Sequence, residues 1–361
     1  MSKGEGIERL VRPSLSSFSG YSPHKSPETL KVARDVIKLD ANENPYGCSP
    51  KVRQALASYD GFSIYPDAGQ TELRKLISSY VGVDAERIVA GNGSGDLISL
   101  LLRLFISPGD EVVNFPPTFD LYRFETALSC GKLIEVPRGE DFSLDLASLK
   151  KMVSAKTKLI FLSNPNNPTG NLTPQEDIIE ILETGVPLVV DEAYYEFSGK
   201  TVVPLTKRYG NLMVLRTFSK WAGLAGLRAG YGIFPPQIAQ LLLKIKLPYN
   251  VSVAASVAVR ESFKDIDYLK GRVEAIINER ERLFGELQKL RFLKPLPSQA
   301  NFILCLVLKG GARELCQRLE DRGILVRYFD TPRLKDYIRI SVGKPEHTDA
   351  LLRALKEVAE E

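Results

Sequence analysis

The sequence predicts an α/β protein: a large domain with a mainly parallel seven-stranded sheet flanked by helices, plus a smaller α+β domain built from both chain ends. Three observations carry this. Between residues 86 and 240, seven β-rich runs alternate with amphipathic segments, the order that a parallel sheet with crossover helices produces. Several of those runs are Val- and Ile-rich without alternation, as strands covered on both faces are. After about residue 240 the pattern turns to a long helix followed by a few separate strands.

In chain order, residues 1–40 show little periodicity and are expected to form an arm and then a first small-domain strand over 36–39. The seven runs are 87–90, 111–115, 133–136, 159–163, 187–190, 213–215 and 231–234. The most apolar stretch, 97–106, is short and interrupted by Arg103. It reads as a buried helix rather than a membrane span. Residues 173–185 read as a helix with Thr173 as cap, Pro174 in the first position and Gly185 at the stop. Residues 268–290 place Leu269, Val273, Ile276, Ile277, Leu283 and Leu287 on one helical stripe. Strands are then expected at 301–308, 324–327 and Tyr337–Ser341, with helices at 312–322 and 346–359. The expected division is an arm over 1–30, a small domain from 31–60 and 250–361, and a large domain over 61–249.

With 361 residues the chain is long enough for two domains and a large core. A hydrophobic share of 44% with 25% charged residues is ordinary for a globular protein. The net charge of +4 is too mild to argue for a nucleic-acid partner. Cys48, Cys130, Cys305 and Cys316 form no CxxC pair and read as free thiols of a reducing cytosol. His24 and His347 are the only histidines, which argues against a multi-histidine metal site; neither stands in a nucleophile motif. Residues 1–18 lack the apolar core of a signal peptide, so a cytoplasmic protein is expected.

Four segments carry chemistry. In the first, the apolar run before Thr217 leads through Ser219 to Lys220, with Arg228 following. A lysine at a strand end is partly desolvated, which makes its amine a usable nucleophile. Thr217, Ser219 and Arg228 can hold a phosphate beside it; a solvated loop lysine is the alternative. In the second, the run Val189-Val190 ends on Asp191, followed by Glu192, Ala193 and Tyr194. An acid there can keep a pyridine nitrogen protonated, or it can cap the next turn. The third, Asn164 to Gly170, has two prolines and a glycine that make a rigid loop able to aim an amide. The fourth, Gly91 to Asp96, is a glycine-rich turn before a helix and offers backbone N–H groups to a phosphate. Its spacing is not GxGxxG, which tells against a dinucleotide.

Taken together, these segments resemble a fold-type I pyridoxal-phosphate enzyme of the class I/II aminotransferase superfamily, and within it the histidinol-phosphate aminotransferases. The likeness runs from Leu39-Asp40-Ala41-Asn42-Glu43-Asn44-Pro45-Tyr46-Gly47 to Tyr337–Ser341 and on to Gly343, and includes the segment from Ser219 to Tyr231. It implies that Lys220 binds pyridoxal 5'-phosphate as a Schiff base and moves the proton, while Asp191 pairs with the ring nitrogen. Tyr194 and Asn167 would hydrogen-bond the phenolic oxygen, and Tyr122 would stack on the ring. Ser94, Gly95, Thr217, Ser219 and Arg228 would surround the phosphate, with Tyr65 reaching in from the other subunit of a homodimer. Arg327 and Arg339 would hold the substrate phosphate and Tyr21 would close over it; Asn167 would also face the substrate. The implied reaction joins L-histidinol phosphate and 2-oxoglutarate to imidazole-acetol phosphate and glutamate. An aromatic or broad-range aminotransferase and a threonine-phosphate decarboxylase share most of these motifs. One departure stands out: Gly95 occupies a position where the family usually has an acid.

Overall fold

The computed structural model describes residues 6–12 and 36–360. Most of the expected arm, including Tyr21, lies outside the described residues. Among the described residues there are twelve strands: β1 (Ile37–Leu39), β2 (Ile88–Asn92), β3 (Glu111–Asn114), β4 (Lys132–Glu135), β5 (Thr157–Ser163), β6 (Leu188–Asp191), β7 (Leu212–Thr217), β8 (Ala229–Ile233), β9 (Leu293–Pro295), β10 (Phe302–Val307), β11 (Ile324–Tyr328) and β12 (Tyr337–Ser341).

Seven of them form one sheet in the order β2-β8-β7-β6-β5-β3-β4. The pairs β3/β4, β3/β5, β5/β6 and β6/β7 are parallel, and β8 runs antiparallel to both β7 and β2. The reversal has a local cause. Residues 218–228, between β7 and β8, hold only the 3-10 turn Ala225–Leu227, whereas a parallel return needs a crossover of a dozen or more residues. The apolar runs are covered on both faces, as anticipated. Val113, Ile160, Leu162, Val190 and Val214 face one cluster, with Ile77 and Ile178 from helices Thr71–Val81 and Gln175–Leu182. Val112, Leu159, Phe161, Val189 and Leu215 face another, with Leu97 and Leu101 from helix Ser94–Phe105. Leu97 and Leu101 are fully buried, and burying one such side chain contributes about 1.5–3 kcal/mol.

The second sheet runs β1-β11-β12-β10-β9. β1 pairs parallel to β11, and the other pairs are antiparallel. Its core includes Ile303, Cys305 and Ile340, together with Leu283, Leu287, Leu319 and Leu355 from helices Ile266–Gln288, Ala312–Asp321 and Pro345–Glu360.

Three expectations are corrected. The apolar helix starts at Ser94, three residues before 97. Thr173 does not cap the helix Gln175–Leu182; Pro174 is the flanking residue. Thr173 stands one position too early, and its backbone N–H donates to Asn164 Oδ1 at 2.8 Å. Helices Pro50–Ala57, Thr71–Val81, Pro236–Ile245 and Val253–Lys264, and strand β9, were not anticipated. Among the described residues no helix is long and apolar enough to cross a membrane.

Candidate active site

A cavity of about 430 Å³ opens where the carboxyl ends of β5, β6 and β7 meet the second sheet. Register alone gathers much of it, since Ser163 lies beside Asp191 and Asp191 beside Leu215. Lys220 enters from the short β7–β8 connection, and its Nζ donates to the Ala41 carbonyl at 2.8 Å. Burial lowers the ammonium to about 8, and the nearby Arg339 acts in the same direction. Asp191 is 3% exposed. Burial pushes its carboxyl up to about 6, against the lowering effect of hydrogen bonds from the Tyr122 hydroxyl (2.9 Å) and the Ala193 N–H (3.1 Å).

Two acceptor or donor groups are aimed by partners that the sequence did not suggest. Asn42, in the left-handed region at φ 53°, donates from Nδ2 to the Tyr194 hydroxyl at 3.0 Å. The Asn167 Oδ1 accepts from Arg339 Nη1 at 2.5 Å, which leaves its Nδ2 as the donor of that amide. The loop carrying Asn167 is pinned from below by Asn166, which donates to the Pro117 carbonyl at 2.9 Å and accepts from the Thr118 hydroxyl at 2.8 Å.

One end of the cavity is built for an anion. Helix Ser94–Phe105 begins at the cavity wall, so the N–H groups of Ser94 and Gly95 lie in its first turn. The Thr217 hydroxyl donates to Ser219 Oγ at 2.9 Å and accepts the Ser219 N–H at 3.1 Å, drawing both hydroxyls together. Arg228 lines the same end with φ 56°, a conformation that costs free energy in a residue with a Cβ and that clusters at functional sites. Two glycines make the approach possible. A Cβ on Gly230 would collide with the Ser94 nitrogen, and one on Gly93 would stand 2.6 Å from Arg228 Nη2. Asp96 serves the turn itself, accepting from Asn92 N and Asn250 Nδ2, each at 2.9 Å.

The second sheet also brings cations to the cavity. Arg327 and Arg339 are register partners across β11 and β12, and both line the cavity together with Phe119, Asp120 and Phe329. Arg339 donates from Nη2 to the Asp40 carbonyl at 2.6 Å.

Two candidate residues are placed elsewhere. Tyr122 does not line the cavity; it is fully buried, stacked on Phe161 with 4.8 Å between centroids. Phe119, three residues earlier and just before the helix, lines the cavity instead. Residues 117–122 carry both rings, and only packing separates them. Tyr65 is 77% exposed and stacks on Tyr249 at 4.5 Å, away from its own chain's cavity. Glu192, adjacent to Asp191, takes no part in the cavity wall: it is fully buried and ion-paired with Arg216 at 2.8 Å. An amine, a carboxylate, a phenol, an amide and a helix start with hydroxyls and a guanidinium beside it fit a phosphorylated pyridine aldehyde. No group of three or more potential metal ligands occurs among the described residues.

The family model for aminotransferase class I and II matches residues 34–355. A histidinol-phosphate aminotransferase of Dehalococcoides mccartyi is 54% identical over 354 residues, covering 98% of this chain and 99% of that protein. The chloroplastic histidinol-phosphate aminotransferase of Nicotiana tabacum is 45% identical over 97% of this chain and 86% of its own length. The crystal structure of histidinol-phosphate aminotransferase from Sinorhizobium meliloti in complex with pyridoxal-5'-phosphate superposes with a TM-score of 0.87 at 30% identity, covering 96% of this chain and 97% of that one.

Proposed function

The chain belongs to the class I and II aminotransferases, and we propose that it transfers the amino group of L-histidinol phosphate to 2-oxoglutarate. The products are imidazole-acetol phosphate and glutamate, a step of histidine biosynthesis, and the cofactor is pyridoxal 5'-phosphate. The observation that carries the substrate is the cross-strand pair Arg327 and Arg339, which brings two guanidinium-bearing residues to the cavity wall. Two guanidinium groups suit a phosphate dianion better than a single carboxylate. Relatives bearing that name at 54% and 45% identity support the same reading.

When bound, the cofactor supplies an electron-withdrawing ring next to the substrate Cα. Ser94, Gly95, Thr217, Ser219 and Arg228 would hold its phosphate, and Phe119, which lines the cavity where Tyr122 does not, would lie against its ring. Asp191 would pair with the ring nitrogen and keep it protonated. The Tyr194 hydroxyl and Asn167 Nδ2 would bind the phenolic oxygen. Lys220 would hold the cofactor through its amine, and that amine, once released, would be the base placed to move the substrate Cα proton. A depressed ammonium at Lys220 suits that double role, because the neutral amine must be present near neutral pH. The enzyme works as a cytosolic homodimer in which Tyr65 completes the phosphate site of the neighbouring subunit. Its exposure, beside exposed Ile64 and stacked on exposed Tyr249, supports this. Tyr21 closes over the substrate from the arm.

The test is kcat/KM for histidinol phosphate and for phenylalanine, each with 2-oxoglutarate, in the wild type and in Arg327→Ala. The wild type prefers histidinol phosphate. A charge-assisted hydrogen bond contributes roughly 1.5–3 kcal/mol, so Arg327→Ala loses about one to two decades with histidinol phosphate. It loses less with phenylalanine, whose carboxylate Arg339 still engages. Preference of the wild type for phenylalanine would overturn the assignment, and equal losses would remove Arg327 from phosphate recognition.

A further inference from the structure

We infer that Tyr122 is a positioning residue for Asp191, its phenol orienting the carboxylate that the bound cofactor's ring nitrogen meets. This rests on the role proposed above for Asp191. The two residues come from different elements, Tyr122 from helix Leu121–Leu128 and Asp191 from the end of β6, yet the hydroxyl donates to Oδ2 at 2.9 Å. The other oxygen, Oδ1, accepts the Ala193 N–H at 3.1 Å. One donor on each oxygen fixes the plane of the carboxylate.

The phenol is itself immobilised. Its ring is fully buried, stacked on Phe161 at 4.8 Å with 8° between planes, and set edge-on to Phe119 at 5.7 Å. A phenylalanine would fill the same nest, so packing does not account for the hydroxyl. Burial and the neighbouring Asp191 hold the phenol's proton well above its ordinary range, so it stays a donor throughout the working pH. The titratable groups against Asp191 are few. Glu192 beside it is ion-paired with Arg216 at 2.8 Å, and Tyr122 and Tyr194 are phenols. Lys220 lines the same cavity. A carboxylate buried to this degree takes up a proton unless donors hold it charged. Tyr122 is the one side chain hydrogen-bonded to Asp191 among the described residues.

The experiment compares cofactor-free wild type, Tyr122→Phe, Asp191→Asn and the double variant. Equilibrium binding of pyridoxal phosphate is followed from pH 5.5 to 9 by quenching of Trp221, and folding by thermal melts. In Tyr122→Phe the pH below which affinity falls moves up by about one unit. Affinity near pH 5.5 then drops by about eightfold, near pH 7 by only about twofold, and it is unchanged at pH 9. Titration of Lys220 is common to all four proteins and cancels in the comparison. In the Asp191→Asn background, Tyr122→Phe adds nothing. A folded Tyr122→Phe protein with an unmoved midpoint, or with a loss equal at every pH, overturns the positioning role. So does an additive effect in the double variant. Asp191→Asn binding and turning over like wild type would instead overturn the role of Asp191, and the proposal with it.

Discussion

A lysine amine is a nucleophile only when neutral, and an ordinary lysine near pH 7 is almost entirely charged. At Lys220, burial removes water from the ammonium while Arg339 repels it, and both favour the neutral form. The consequence has a definite sign. Lys220 is protonated below about 8, so its capture of pyridoxal phosphate by cofactor-free protein should quicken about tenfold per pH unit up to that point and then level. Stopped-flow absorbance reads the rate directly; an inflection near 10 would mean the amine is solvated after all. Lys220→Ala should abolish the borohydride-stable attachment, and with it nearly all turnover. The strand and hydroxyls before it marked this lysine as a candidate, beside the reading of a solvated loop lysine. Its contact with Ala41, far away in sequence, was not legible.

At the scale of elements, the ends of β6 and β7 must be held together if Asp191 and Thr217 are to face one cavity. The Glu192 N–H donates to the Leu215 carbonyl at 2.8 Å. Arg216 then donates to Glu192 Oε2 and to the Thr201 hydroxyl, at 2.8 and 2.7 Å, with its guanidinium 3.6 Å from the centre of the Tyr195 ring. Removing one partner of a buried ion pair costs about 3–5 kcal/mol, because the other charge is stranded. Arg216→Ala should therefore lower unfolding stability by that amount in urea titration and should also weaken cofactor binding. Arg313→Ala breaks the pair with Asp330, in which both side chains are exposed, and should unfold like wild type. A stability loss no larger in Arg216→Ala than in Arg313→Ala would remove the clamp from the account.

For the molecule as a whole, the expectation is a pair of sites shared between subunits. Tyr65 does not line its own cavity; Phe62 and Ile64 are exposed apolar side chains close to it in the chain, and Tyr249, also exposed, is stacked on it. If Tyr65 serves the neighbour, a mixed dimer of Tyr65→Phe and Lys220→Ala subunits collects both intact residues in one of its two sites. Coexpressed and purified through two tags, that heterodimer should exceed both parents in activity. Activity no higher than the better parent would place Tyr65 outside the partner's site.

What the sequence determined by itself was local or periodic. Several of the seven runs, Val- and Ile-rich without alternation, pointed to a doubly covered sheet because burial on both faces removes any polar alternation. The segments around Ser94, Asn167, Asp191 and Lys220 stood out because a glycine-rich helix start, a proline-braced loop and a polar residue ending an apolar run each have a local physical cause. Helices such as Thr71–Val81 and Val253–Lys264 escaped notice, since their apolar stripes are short and gain their stability from packing on the sheet. The choice between Phe119 and Tyr122 for the cavity wall was not local either. Both are aromatic and three residues apart, and only the position of Phe161 and Asp191 decides which ring is buried. The pairing of Glu192 with Arg216, of Asn42 with Tyr194 and of Arg327 with Arg339 likewise depends on strand order and register. Those follow from how separate elements bury one another's faces, so tertiary structure alone settles them.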